Sequence, residues 1–223
     1  MKHREFKDRL YAELGRITKA LDNPHRLELV DLLAQGERSV EDLAGEAALA
    51  VANASQHLQV LRRARLVETR KDGLRVYYRL AGPAVYECVR RVRTLAETRL
   101  AEVDQLVRTY LGGRDRLESV SRGDLVRRVR EGSVVVIDVR PRSEYLAGHI
   151  RGALSLPVAE IEKRLAKLPP RKDVVAYCRG PYCVMAYEAV AKLRAEGRRA
   201  RRLADGFPEW RAAGLPIEAG GAS

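Results

Sequence analysis

Residues 173–184 read Asp-Val-Val-Ala-Tyr-Cys-Arg-Gly-Pro-Tyr-Cys-Val, and this stretch decides the fold of the second half of the chain. The apolar run before Cys178 is typical of a buried parallel strand, and a helix is expected to begin near Val184. Open α/β sheets bind ligands at the carboxyl ends of their strands. The loop from Cys178 to Cys183 is therefore the candidate site, because amides and a helix N-terminus beside a sulfur lower its pKa.

A second apolar run, residues 134–140, precedes the cysteine loop by about forty positions and also ends in polar residues. Helical segments alternate with these two strands from Ser133 onward. Such alternation predicts an α/β domain with a central parallel sheet.

Several short motifs of this half occur in the order found in rhodanese domains, which the half closely resembles. They are Asp138-Val-Arg140, Glu144-Tyr145, Gly148-His-Ile-Arg-Gly152, the cysteine loop, Gly206-Phe-Pro-Glu-Trp210 and Ala213-Gly-Leu-Pro216. The resemblance implies a sulfurtransferase fold that carries sulfane sulfur as a persulfide on Cys178. It also implies small sulfur donors, namely thiosulfate, polysulfide or low-molecular-weight persulfides, and a cyanide or thiol acceptor.

The loop residues have separate expected roles. Arg179 is the candidate for orienting an anionic donor, and Gly180, Pro181 and Tyr182 form the rest of the substrate loop. Pro181 stands where rhodanese loops often have glycine and supplies no amide, so slow turnover is expected. Cys183 is a candidate resolving thiol that attacks a persulfide on Cys178. The alternative is that Cys183 packs into the core.

Three polar residues outside the loop are expected to support it rather than to touch substrate: Asp138, Arg140 and Glu144. The related phosphatases and arsenate reductases use a longer loop that ends in arginine six positions after the cysteine. Val184 stands at that position here, which disfavours oxyanion chemistry of that kind.

The first half has a helical pattern interrupted by one hairpin. Asp22-Asn23-Pro24 predicts one helix start, Ser39 with Asp42 predicts another, and a third helix covers roughly Ala52 to Arg63. Two β-rich runs, residues 66–70 and 74–80, flank Lys71-Asp72-Gly73 and predict a hairpin. The order is typical of a mainly α winged helix-turn-helix. One long last helix, Pro83 to Leu111, is expected to follow.

Residues 21–33, 55–67 and 71–78 resemble the ArsR/SmtB family of dimeric bacterial repressors. The resemblance implies a homodimer that binds double-stranded operator DNA through the helix near Ala52 to Arg63. The side chains expected to reach base edges are Asn53, Ser55, Gln56 and His57. Those expected on phosphates are Arg62, Arg63, Arg70, Lys71 and Arg75.

The sulfur and nitrogen ligands of the family's metal sensors are missing from this half, since the helix that begins at Ser39, before the expected DNA-reading helix, has no Cys and the last helix has no His. No metal and no cofactor are therefore expected. Cys88, the only thiol of this half, is expected either to be buried in helix packing or to bridge two subunits as a possible redox residue.

The 223 residues accommodate two domains, expected at 1–112 and 118–223 around a linker at 113–117. The sequence has no apolar run of about 18 residues, so a cytoplasmic protein without membrane contact is expected.

The net charge of +12 favours a polyanionic partner. Most of the excess lies in the second half, where Arg198, Arg199, Arg201 and Arg202 either help steer DNA or attract anionic sulfur donors.

These patterns lead to one preferred hypothesis and two alternatives. The preferred one is a transcriptional repressor whose rhodanese domain couples reactive sulfur to operator binding. The first alternative is a thiosulfate or thiol sulfurtransferase tethered to a DNA-binding domain without signalling. The second is a repressor that responds to arsenite or a soft metal.

Overall fold

The structure, a computed structural model, describes residues 3–111 and 119–221. Contacts divide the chain into two compact units, residues 1–93 and 94–223. The expected linker at 113–117 lies outside the described residues, and the expected domain limits at 112 and 118 stay predictions. In the two described ranges no helix is long and apolar enough to cross a membrane.

The first unit is a winged helix-turn-helix, as predicted. Its elements are α1 (His3–Leu21), α2 (Pro24–Leu33), β1 (Arg38–Ser39), α3 (Val40–Glu46), α4 (Val51–Arg63), β2 (Val67–Asp72), β3 (Arg75–Leu80) and the start of α5 (Pro83–Arg99).

Both predicted helix caps are confirmed. The Asn23 side chain accepts a hydrogen bond from the Arg26 amide, with Pro24 as the first helical residue of α2. Ser39 likewise accepts from the Asp42 amide at the start of α3. Each cap satisfies an amide that the first helical turn leaves without an intrahelical partner, which fixes where the helix begins.

The hairpin turn is one residue shorter than predicted and lies later in the chain. Asp72 pairs with Arg75, so the two-residue turn is Gly73-Leu74, and Lys71 lies in β2 rather than in the turn. Gly73 has a φ of +58°, which glycine adopts at little cost. β1 also pairs with β3 and gives the sheet a third strand, which two residues are too short to reveal as a pattern.

The core of this unit fixes the position of α4. Leu29 from α2, Leu43 from α3, and Leu58 and Leu61 from α4 are all fully buried in one cluster. Burying each such side chain stabilises the fold by roughly 1.5–3 kcal/mol. The apolar face of α4 is thereby held inside, and its polar positions face outward.

The prediction of a single helix from Pro83 to Leu111 is wrong. α5 ends at Arg99, and α6 (Ala101–Leu111) begins after Leu100. The Leu100 amide donates to the Ala96 carbonyl and the Val103 amide donates to the Leu100 carbonyl, so hydrogen bonding continues through a tight turn. A break of one residue leaves the apolar spacing almost unchanged, which is why periodicity did not show it.

The second unit contains a parallel sheet with helices around it. Its further elements are β4 (Ser119–Val120), α7 (Arg122–Arg130), β5 (Val134–Asp138), α8 (Arg142–Ala147), β6 (His149–Ile150), β7 (Leu154–Ser155), α9 (Ile161–Arg164), β8 (Asp173–Tyr177), α10 (Val184–Ala195), β9 (Ala200–Leu203), α11 (Phe207–Ala212) and β10 (Ile217–Glu218). The sheet has five strands in the order β4-β9-β8-β5-β7, all parallel, and β6 pairs separately with β10.

Both predicted strands lie at the centre of this sheet and are buried on both faces. In β8, Val174 and Ala176 belong to one core cluster, whereas Val175 and Tyr177 belong to the cluster on the other face. Two-sided burial accounts for the continuous apolar runs in the sequence.

A buried polar network joins the ends of β5 and β8. The Arg140 guanidinium donates from Nη2 to Asp138 Oδ2 at 2.6 Å and to the Gly148 carbonyl at 2.7 Å. The Tyr177 hydroxyl donates to the same Asp138 oxygen at 2.6 Å and accepts from the Ile150 amide at 3.1 Å. Burial and the Asp138 carboxylate raise the pKa of Tyr177 well above its ordinary value, which keeps the hydroxyl as a donor.

We expect Tyr177→Phe to lower the free energy of unfolding by about 1–3 kcal/mol, because the buried Ile150 amide loses its acceptor and Asp138 loses the hydroxyl donor while keeping Arg140. Urea denaturation measures the change. Tyr110→Phe is the matched control: Tyr110 is 72% exposed, so its removal should change stability by less than about 0.5 kcal/mol. Equal effects of the two substitutions would contradict the role given to the Tyr177 hydroxyl.

Candidate functional site

The cysteine loop connects β8 to α10. Cys178 follows the last residue of β8, and Cys183 is the N-cap residue of α10. The two cysteines are joined as a disulfide with a Cα–Cα distance of 6.1 Å, within the usual range for such bonds. The Cys178 sulfur consequently lies at a helix N-terminus, where the helix dipole favours a thiolate.

Exposure distinguishes the two sulfur-bearing residues. Cys178 is 1% exposed and belongs to a core cluster, whereas Cys183 is half-buried beside the same cluster. Tyr182 is exposed on the outer side of the loop, and Gly180 and Pro181 are half-buried. The Cys178 side of the disulfide is therefore shielded from solvent, and Cys183 is the more accessible of the two residues.

Backbone contacts, within the loop and with the start of α11, hold the cysteine loop in place. The Phe207 amide donates to the Cys178 carbonyl at 3.0 Å, and the Cys183 amide donates to the Gly180 carbonyl at 3.2 Å. A Cβ on Gly206 would lie 2.4 Å from the Gly180 nitrogen and 2.5 Å from the Arg179 carbonyl carbon. Position 206 requires glycine because its backbone contacts the backbone of the cysteine loop at Arg179 and Gly180. The sequence motif included Gly206, but the spacing of the motif did not reveal this contact.

Arg179 is held in an ion pair with a carboxylate from α8. Its Nε and Nη2 donate to Glu144 Oε1 at 2.9 and 2.6 Å, and the Glu144 side chain is almost fully buried. Arg140 Nη1 lies 4.0 Å from the other Glu144 oxygen. Glu144 thus connects the loop to the buried network around Asp138. The role expected for Arg179, orienting an anionic donor, stays a prediction, and its charge is already balanced in this state.

The residues expected at DNA bases all lie in the first two turns of α4. Asn53 and Gln56 are exposed, and Ser55 and His57 are half-buried. Partial burial and the nearby Arg26 and His25 lower the pKa of His57, whose ring lies 5.5 Å from that of His25. His57 is consequently neutral near pH 7, so it can either donate or accept a hydrogen bond.

The basic residues expected on phosphates are exposed, but their local charges differ. They are Arg62 and Arg63 at the end of α4, Arg70 and Lys71 in β2, and Arg75 in β3. Arg70 donates to both oxygens of Glu37 at 3.2 Å and to Asp72 at 3.1 Å. The charge of Arg70 is therefore offset before any phosphate approaches. Leu74, which sequence reasoning did not single out, is fully exposed at the tip of the wing.

Cys88 is exposed in the single chain, and both expectations for it, burial in helix packing and a bridge between two subunits, stay predictions. The sequence placed Cys88 on the last helix, but it did not show whether the helix face that carries Cys88 points toward the core or toward solvent. In the described ranges, no three His, Cys, Asp or Glu side chains are grouped so that they could hold a metal ion.

Two family descriptions match the chain. Residues 121–213 match the rhodanese-like domain, and residues 23–69 match the bacterial regulatory proteins of the arsR family. The chain is similar to the HTH-type transcriptional regulator Rv0324 of Mycobacterium tuberculosis, with 46% identity over 95% of this chain and 92% of that protein. It is also similar to a sulfurtransferase of Allochromatium vinosum, with 38% identity over 39% of this chain and 79% of that protein.

Among solved structures, the first unit is similar to the homodimeric winged helix-turn-helix DNA-binding domain of Mb0332 from Mycobacterium bovis, a possible ArsR-family transcriptional regulator. The identity is 41% and the TM-score 0.41, over 45% of this chain and 91% of that chain.

We expect Gly206→Ala to lower the free energy of unfolding by about 1–3 kcal/mol, because the added methyl group would overlap the backbone of the cysteine loop. Thermal or urea unfolding measures the change. Gly123→Ala in α7 is the control, since a Cβ there meets no atom closer than 4.0 Å. If the Gly206 variant were as stable as the control, the loop would not be packed against residue 206 in solution.

Proposed function

We propose a function for this chain from the premise that it belongs to the arsR family of bacterial regulatory proteins and carries a rhodanese-like domain. It acts as a homodimeric repressor of transcription that binds operator DNA through α4 and senses sulfane sulfur at the cysteine loop. The observation that carries the proposal is the pair Cys178 and Cys183, which lie within bonding distance in one loop at a helix N-terminus.

The sensing chemistry starts from the reduced pair. The Cys178 thiolate attacks the sulfane sulfur of a hydropersulfide RSSH, so that Cys178 becomes a persulfide and RS⁻ leaves. With thiosulfate the leaving group is sulfite. The Cys183 thiolate then attacks the inner sulfur on Cys178 and expels HS⁻, which leaves the Cys178–Cys183 disulfide. The two thiols are oxidised, the transferred sulfur atom is reduced, and two equivalents of a small thiol restore the reduced state as they form their own disulfide.

The two chemical states require two arrangements of the loop. The disulfide keeps Cys178 1% exposed, whereas a persulfide on the same residue needs space for an additional sulfur atom. Because Gly206 and Glu144 contact the loop closely, a change in the loop must move them or break those contacts. A loop with two such states can bias DNA affinity, and a coupling of about 1–3 kcal/mol changes that affinity 5- to 150-fold.

Exposed apolar side chains support the homodimer. Phe6, Leu10 and Leu14 are each at least 42% exposed and repeat at every fourth position of α1. On α5, Cys88, Val92 and Leu95 are exposed and share one helix face at i, i+4 and i+7. Apolar stripes of this kind are typical of surfaces that another protein covers. Cys88 would then lie near the interface of the two subunits.

For DNA binding we expect Gln56→Ala to weaken operator binding more than binding to random duplex, because an amide at that position contacts a base edge. Arg62→Gln should weaken binding to the operator and to random duplex about equally. It should also make the negative slope of log K against log salt less steep by about 0.9, as expected when one phosphate contact is removed. The operator is a duplex that the parent protein selects from a random pool. Fluorescence anisotropy then measures the affinity of each variant for this operator and for random duplex. Equally weakened binding to both duplexes for Gln56→Ala would exclude base recognition by this residue.

For sulfur sensing we expect polysulfide to change the operator affinity of the reduced parent protein about 5- to 150-fold and to leave that of Cys178→Ser unchanged. Cys183→Ser should accumulate one additional sulfur atom on Cys178, which mass spectrometry detects. Cys88→Ser is the matched control and should respond like the parent, because Cys88 is exposed outside the loop.

If Cys178→Ser responded to polysulfide as the parent does, the sensor mechanism would be wrong. If the parent formed the persulfide without any change in DNA affinity, a sulfurtransferase tethered to a DNA-binding domain would be favoured instead. Release of the operator by arsenite alone would favour a response to soft metals.

A further inference from the structure

The end of the parallel sheet opposite the cysteine loop carries a concentrated positive charge. The strands β5, β8 and β9 are parallel, so their amino ends meet at one edge. The segments that enter these strands, residues 128–133, 171–173 and 196–199, contain six basic side chains and three acidic ones. The basic residues are Arg128, Arg130, Arg171, Lys172, Arg198 and Arg199, and together they are called the basic edge below.

Contacts around Asp173 show that these segments are adjacent in space. Arg128 Nη1 lies 3.5 Å from Asp173 Oδ2, and Arg199 Nε lies 2.9 Å from Asp173 Oδ1. Arg198 Nη2 donates to the carbonyls of Leu168 and Pro169, and Arg199 Nη2 donates to that of Arg171. One carboxylate is thus shared by two arginines, and carbonyl oxygens position a third without neutralising it.

Three exposed members of the basic edge are available to a partner. Arg130, Arg171 and Lys172 are exposed, and none of them makes an ion pair with any residue of the described ranges. β8 has five residues between this edge and the cysteine loop, a separation of roughly 15 Å at the usual rise per residue. The basic edge therefore lies too far from the cysteine loop to serve mainly for attracting anionic donors to that loop.

We propose that the basic edge binds the phosphate backbone of duplex DNA and adds sequence-independent affinity to that of α4. Cations spread over three segments match phosphates repeated along a backbone better than one small anion, which needs a single enclosed pocket. The duplex held by the helix-turn-helix is also at high local concentration for the rest of the same chain. This proposal goes beyond sulfur sensing, since it gives the rhodanese-like domain a part in DNA affinity.

The test measures the salt dependence of binding by the full chain. The probe is a fluorescein-labelled duplex of random sequence without any sulfur donor, because phosphate contacts carry no sequence information. The triple variant Arg130→Gln, Arg171→Gln, Lys172→Gln should make the negative slope of log K against log salt less steep by up to about 2.7. Each phosphate that is no longer neutralised accounts for about 0.9 of this slope. The single variants Arg130→Gln and Lys172→Gln should each make the slope less steep by about 0.9.

The matched control removes the same charge elsewhere on the second unit. Arg142→Gln, Arg151→Gln, Lys163→Gln changes three exposed residues outside the three segments and should leave the slope unchanged. Equal slopes for the two triple variants would overturn the proposal. It would also be overturned if the basic-edge variant kept the duplex slope but no longer bound single-stranded RNA of random sequence, since the surface would then serve RNA. Neither outcome depends on polysulfide, so failure of the sulfur-sensing proposal is seen separately.

Discussion

The second unit depends on the fully buried ion pair between Asp138 and Arg140. Their contact of 2.6 Å lies where β5 ends, and the same two side chains bind Tyr177 from β8 and the Gly148 carbonyl after α8. A buried pair of this kind adds little net stability, because desolvation offsets the attraction, but removing one partner is costly. Its effect is to fix geometry: the carboxyl ends of both central strands are held in register, and the cysteine loop begins one residue after Tyr177.

The cysteine loop is held in this arrangement by residues outside itself. Glu144 pairs with Arg179 from one side, and the backbone at Gly206 touches the loop from the other. Cys178 is buried under these conditions, and Cys183 completes the enclosure. A loop packed this closely cannot accept an additional sulfur atom without moving its neighbours. In the proposed function, this close packing is what would link a sulfur atom added at Cys178 to a change in the structure of the loop.

Much of the fold was predictable because local rules and tertiary packing agree. The caps at Asn23 and Ser39 set where two helices begin, and the apolar runs before Arg140 and Cys178 indicated two-sided burial. Prediction failed where a local pattern was compatible with two outcomes. Periodicity continued across the break at Leu100, and the D-G pair allowed a turn at either of two positions.

The sequence by itself determined the two folds, the order of their elements and the loop that carries the thiols, since these follow from periodicity, capping and short motifs. Only the tertiary structure decided which charges meet. It paired Arg179 with Glu144, 35 positions earlier in the chain, and offset Arg70 with Glu37. It also gathered Arg128, Asp173 and Arg199 at the edge far from Cys178. Electrostatic partners are set by distance in space, and side chains far apart in sequence approach one another only once the strands have paired.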